Sequence, residues 1–229
     1  MTKKLLLIIL SVFLSLSLFG CSDEEGEEIV SDESGVSKVV SDDPIGYENA
    51  YLSVDMFRFS IKIDGVAYKL PALQSAFKKN GWEITSGETT VKSRFTEDAV
   101  LSKNGVHFDI VVVNPTKNDL PFEKCPIGRL SFESGFNAST ESAEPEISNA
   151  DESPFEIYLA DNFLLNGATK TAIIEKYGEP TSSENYGDYS VITYGSKKTT
   201  GNYATYFFRF NKKGKIESFN MSNYYIPEY

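Results

Sequence analysis

The chain has 229 residues, a formal charge of −11, two cysteines and one histidine. That surplus of acid excludes a nucleic-acid binder, which needs clustered Lys and Arg to neutralise phosphates. One histidine and two cysteines are too few for the four-ligand structural zinc sets, and no glycine-rich phosphate loop occurs, so neither a metal nor a cofactor is expected.

Lys3 and Lys4 precede an apolar run, Leu5 to Leu18, broken only by serines. A charged start followed by so short a run is a secretory signal; a membrane-spanning helix needs about 20 apolar residues. The run closes on Leu18-Phe19-Gly20-Cys21. This resembles the lipobox of bacterial lipoprotein precursors, with Gly20 as the small residue before the cut. The resemblance implies cleavage before Cys21, a diacylglycerol on its thiol with palmitate-type acyl chains, and a lipid anchor in the cell membrane that leaves the chain on the extracytoplasmic face. Each buried acyl CH₂ contributes about 0.8 kcal/mol, so such an anchor is stable. Loss of Lys3 and Lys4 makes the mature chain still more acidic, which argues against a second, polybasic contact with anionic lipid. With Cys21 lipidated, Cys125 stands alone and no intramolecular disulfide is expected.

After the signal (1–20), residues 21–54 read as the lipidated cysteine and an acidic, disordered tether. Nine acids between residues 22 and 46 face one base, Lys38, and such a segment lacks the apolar surface to offset the entropy of ordering. A first folded domain is expected over 55–134. Phe57, Phe59, Ile61 and Ile63 alternate with Arg58, Ser60 and Lys62, and Asp64-Gly65 turns the chain into Val66–Leu70. Pro71 opens a helix with Leu73, Ala76 and Phe77 on its apolar side, ended by Asn80-Gly81. Strands follow at Ala99–Ser102, at Val106–Val113 and at Cys125–Phe132. In the long middle one Phe108, Ile110 and Val112 face one way and His107, Asp109 and Val111 the other.

Residues 135–154, rich in Ser, Glu, Asn and Pro without a positive charge, read as a linker, and 155–229 as a second domain. Here Phe155–Leu159 is a strand, Thr169 caps a helix carrying Ala172, Ile173, Ile174 and Tyr177, and Gly178 with Pro180 ends it. Strands follow at Val191–Tyr194, Tyr203–Phe210 and Ile216–Met221, the last two joined by Lys212–Lys215, and an aromatic tail, Tyr224–Pro227, closes the chain. The two domains share an order of strand, turn, short helix ending at Gly, and three strands, a weak internal repeat. The fold class is therefore α+β: two small domains, each an antiparallel sheet with a short helix packed on one face.

The run Gly167-Ala168-Thr169, Ile173, Gly178-Glu179-Pro180 resembles the G-x-T-x3-Ile/Val-x4-G-x-P signature of the small outer-membrane-assembly lipoproteins and the β-lactamase-inhibitor-protein-like modules. The first domain departs from it, with Pro71 at the Thr position and Trp82 in place of the final x-Pro. The resemblance implies sheets with one open face, used in tandem to bind other proteins.

The expected function is a non-enzymatic protein-binding module of the cell envelope, a monomer with an envelope or secreted protein as partner. The alternative is an inhibitor of a secreted or envelope hydrolase, and a small hydrolase comes third. In Tyr203–Phe210, Ala204, Tyr206, Phe208 and Phe210 are assigned to the core, which leaves Tyr203, Phe207 and Arg209 on the open face with the composition of an interface centre. His107 and Asp109 are the candidates of the first domain. No catalytic residue is assigned: a Ser/His/Asp set would have to use His107, and no nucleophile motif accompanies it.

Overall fold

A computed structural model gives the fold and describes residues 46–133, 155–195 and 201–227. Cys21, the acidic stretch up to residue 45 and the 135–154 linker lie outside the described residues. In chain order the elements are β1 (Ser60–Ile63), β2 (Val66–Lys69), α1 (Gln74–Lys78), β3 (Glu83–Thr85), β4 (Thr90–Val91), β5 (Phe95–Lys103), β6 (Val106–Asn114), β7 (Leu120–Pro121) and β8 (Ile127–Glu133). There follow β9 (Ile157–Leu159), β10 (Phe163–Leu164), α2 (Lys170–Tyr177), β11 (Ser182–Asn185), β12 (Tyr189–Gly195), β13 (Asn202–Asn211) and β14 (Ile216–Tyr225).

Local chemistry accounts for the joints. Asp64 and Gly65 take φ of 50° and 76°, the left-handed pair that a two-residue hairpin needs to match the twist of its strands. The Thr169 hydroxyl accepts a hydrogen bond from the Ala172 amide at 3.2 Å, and Gly178, at φ 82°, receives the end of α2.

The strands form two main antiparallel sheets, and β4 pairs with β7 separately. The larger has eight strands in the order β11-β12-β13-β14-β8-β6-β5-β3, and the smaller has four in the order β10-β9-β1-β2. The small sheet and both helices cover one face of the large sheet. Tyr206 of β13 stacks on Phe59 at 5.0 Å and its hydroxyl donates to the Met56 carbonyl at 2.6 Å. Trp82 packs edge-on against Phe108 of β6, and the Tyr194 hydroxyl donates to the Gly178 carbonyl at the end of α2. One apolar cluster runs through the whole layer.

The fold is thus α+β with mostly antiparallel sheet and few helices, but the expected pair of separate sheets is not what forms. Strand β14 pairs with β8, and β9 pairs with β1, so both sheets run across the two expected domains. A lone half would leave β8 or β14 as a long unpaired edge; joining them satisfies both rows of backbone groups.

The internal repeat is present in the pairing. Each half is a hairpin, a helix and a four-stranded meander, β3-β5-β6-β8 and β11-β12-β13-β14, and the large sheet reads the same from either end. Equivalent residues follow from register. Ile127 opens β8 and bonds to Ala72, just before α1; Ile216 opens β14 and bonds to Ala168, just before α2. Bulges fall at matching places, between Val111 and Val112 and between Arg209 and Phe210. The Ser131–Asn220 pair lies where the two meanders meet, and Lys62–Tyr158 where the two hairpins meet.

Other expectations are corrected in detail. Phe57 lies in a 3₁₀ turn, Met56–Arg58, and is exposed, so the buried alternation starts only at Phe59. Pro71 does not open the helix. It follows a cis peptide bond, its carbonyl accepts the Tyr47 amide, and α1 starts at Gln74. Residues 47–54, expected as tether, lie along the fold: Tyr47 bonds to Pro71 and Leu73, and buried Ser53 bonds to the Ser60 hydroxyl. The aromatic tail is strand as far as Tyr225.

Candidate functional site

The candidate site is the face of the large sheet that the small sheet and helices leave open. Period-two geometry sets it up on β13. Tyr206, Phe208 and Phe210 are fully buried against the inner layer, with Ala204 partly buried beside them. Tyr203, Thr205, Phe207 and Arg209 point the other way, and Phe207 keeps 37% of its surface exposed.

Around Phe207 the cross-strand neighbours are Thr193 on β12 and Asn220 on β14. Arg209 is held in place: its guanidinium lies 4.4 Å from the centre of the Tyr189 ring and its Nε 3.4 Å from the Glu217 carboxylate. Tyr189 stacks in turn on Tyr186 at 4.8 Å. At the other end of the strand Tyr203 stacks on Tyr224 at 4.5 Å. Between these aromatic groups the Asn220 amide donates to the Ser131 hydroxyl at 2.8 Å and the Ser222 hydroxyl donates to Asn220 at 2.9 Å.

His107 and Asp109 on β6 are exposed on this same face, because the sheet is continuous. They do not cluster with Tyr203, Phe207 and Arg209; strands β8 and β14 intervene. Val111, expected beside them in the open, is buried. Its cross-strand neighbours are Asp98 and Arg129, and beside Gly128 the Tyr224 ring and Val113 lie so close that an added Cβ would come within 2.8 Å of both. Burial raises the Tyr224 phenol above its usual range, while the Arg129 guanidinium works against that shift. Arg129 itself pairs with Asp98 at 3.2 Å.

Sequence reasoning alone missed Tyr189 as the support of Arg209 and Tyr224 as a cover. Neither has a signal in its own segment, since each acts across a strand pairing. The remaining reactive groups lie away from this face. Cys125 is fully buried, and burial pushes its thiol up to about 11, so it is protonated at neutral pH and a poor nucleophile. Among the described residues no group of three or more His, Cys, Asp or Glu side chains is placed to hold a metal.

Comparison with known protein families, with characterised proteins and with solved structures finds no match to this chain.

Proposed function

We propose that the chain is a lipid-anchored lipoprotein of the extracytoplasmic membrane surface, and that its open sheet face binds an envelope or secreted protein without catalysing a reaction. One observation carries this reading: Phe207 stands exposed in a strand whose inward Tyr206, Phe208 and Phe210 are in the core, flanked by an arginine already fixed by Tyr189 and Glu217. Aromatic residues and arginine are the side chains that dominate binding energy at protein interfaces, and an arginine fixed in advance loses less entropy on docking. The anchor follows from the Leu18–Cys21 run.

Two variants test the two parts. Cys21→Ala should block lipidation and shift the chain out of the membrane fraction or leave an uncleaved precursor; unchanged fractionation and mobility would remove the anchor from the proposal. Phe207→Ala combined with Arg209→Ala should leave the thermal unfolding midpoint within a few degrees of wild type while abolishing crosslinks to the partner in intact cells. Single truncations at such positions cost about 2 kcal/mol of binding, roughly thirtyfold in affinity. Unchanged crosslinking would move the binding site off this face.

A further inference from the structure

We infer that the open face docks a basic, extended segment of its protein partner, with an apolar side chain on Phe207 and a lysine or arginine on the Asp109 side of the sheet. This rests on the proposed protein-binding reading and names the chemistry of what is bound.

The internal repeat supplies a control that few surfaces have. By register, Phe207 opposite Asn220 on β14 is the counterpart of Asp109 opposite Ser131 on β8. Arg209 is likewise the counterpart of Val111, each placed just before its bulge. The same fold position is therefore served by a carboxylate in one half and a phenyl ring in the other. Folding does not call for an aromatic there, and a ring beside a fixed arginine has the composition of an interface centre.

Charge fixes the kind of ligand. In the first half the outward positions carry Glu83 on β3, Asp98 on β5, Asp109 on β6 and Glu133 on β8, all exposed. The guanidinium among them, Arg129, is engaged by Asp98, and Arg209 of the second half is engaged by Glu217. Among the described residues Asp109 and Glu133 have no ion pair. In a chain of formal charge −11 this face repels acidic proteins and anionic lipid and draws cations, which raises the rate of encounter with a basic partner.

Geometry fixes the spacing. Phe207, Asn220, Ser131 and Asp109 form one row across β13, β14, β8 and β6, in register at every step. Three inter-strand steps of about 4.8 Å place Phe207 roughly 14 Å from Asp109. An extended peptide rises about 3.3 Å per residue, so residues roughly four apart, whose side chains point the same way, reach both ends. The Asn220 and Ser131 side chains between them offer hydrogen-bond partners to the peptide backbone.

The test uses the full chain in non-ionic detergent and fluorescence anisotropy with two labelled peptides. One carries phenylalanine and lysine four residues apart in a Ser/Thr background; its twin has glutamate for each lysine. The lysine peptide should bind, more weakly as salt is raised, and the glutamate twin should not. Phe207→Ala and Asp109→Lys should each weaken the lysine peptide about tenfold or more, and Asp109→Lys should gain affinity for the glutamate twin, a reversal that a purely structural role of Asp109 would not produce. Equal binding of the two peptides, no binding of either, or indifference to Asp109→Lys overturns the inference. So does a glycan oligomer that binds through Phe207 independently of salt, which would make this a polysaccharide-binding face. If neither peptide binds while Phe207→Ala with Arg209→Ala still abolishes crosslinking in cells, the basic-segment chemistry falls and the protein-binding reading stands; if crosslinking also persists in that double variant, both fall.

Discussion

Strands β6 and β13 occupy the same place in the two halves, yet they agree on one side only. Inward, Phe108, Ile110 and Val112 match Tyr206, Phe208 and Phe210, and all six are buried. Outward, His107, Asp109 and Val111 face Thr205, Phe207 and Arg209 as counterparts, and share nothing in size or charge. The inner positions answer to one packed layer, where a change of even a methylene is felt. The outer positions answer to solvent or to whatever docks there, and there the halves are free to differ. Their surroundings diverge as well. Tyr224 folds over Gly128 and Val113 and closes part of the first half's outer face, while Phe207 in the second half stays open.

The largest effect that would break this comparison lies inside. Phe208 is fully buried among Tyr194, Tyr206, Phe210 and Phe219. Phe208→Ala should cost about 3–5 kcal/mol, and Ile110→Ala at the counterpart position about 2–5 kcal/mol, both read by denaturant unfolding. Because one core and two shared sheets join the halves, either substitution should shift a single transition and not split it. A split transition would show two domains unfolding independently, and the shared sheets would then be energetically weak.

The second effect is smaller and separates two inner counterparts, Tyr206 and Phe108. Tyr206→Phe removes a buried 2.6 Å hydrogen bond to the Met56 carbonyl and should cost about 1–2 kcal/mol at neutral pH. It should also change the alkaline limit. Burial raises the Tyr206 phenol well above its ordinary 10.0, so above pH 10 the unfolded chain loses a proton that the native state still holds. Stability therefore falls as pH rises through that range. Cys125, raised from 9.0 to about 11, adds the same sign of effect from pH 9 upward and is unaffected by the substitution. Unfolding followed between pH 8 and 11.5 should show a shallower alkaline decline for Tyr206→Phe than for wild type; an identical slope would mean that Tyr206 does not titrate across unfolding.

What the sequence showed and what it hid divide along the same line between local and distant. The alternation of β6 and β13, the Asp64-Gly65 hairpin and the Thr169–Gly178 helix are each written within a dozen residues, through side-chain period, left-handed turn residues and caps. So is the outward direction of Tyr203, Phe207 and Arg209. The β8–β14 and β1–β9 pairings join residues far apart in the chain by shape and backbone bonding, and no local pattern encodes them. Strand β11, Ser-Ser-Glu-Asn, is exposed throughout and exists because β12 offers it an edge. Val111 has the pattern of an outward residue and is buried, between Asp98 and Arg129 on the neighbouring strands.

The smallest effect sharpens the comparison most, because it exchanges the counterparts themselves. Asp109→Phe places on β6 the side chain that β13 already carries at the equivalent position. Asp109 is exposed and without an ion pair among the described residues, so the exchange breaks no ion pair and adds a residue with better strand propensity. Phe207→Asp does the reverse, removing an exposed ring from between Thr193 and Asn220. Host measurements of strand propensity span about 1 kcal/mol, so each substitution should move stability by less than about that amount, with Asp109→Phe at or above wild type and Phe207→Asp slightly below. Two-state denaturant curves on the single variants and on the double exchange would check this, and the two changes should add, since the positions lie beyond the range at which neighbours couple. A loss of about 3 kcal/mol at Phe207→Asp would mean that the ring is core after all and that the open face belongs to the fold. A near-neutral result at both sites would leave binding as the one property that distinguishes Phe207 from Asp109.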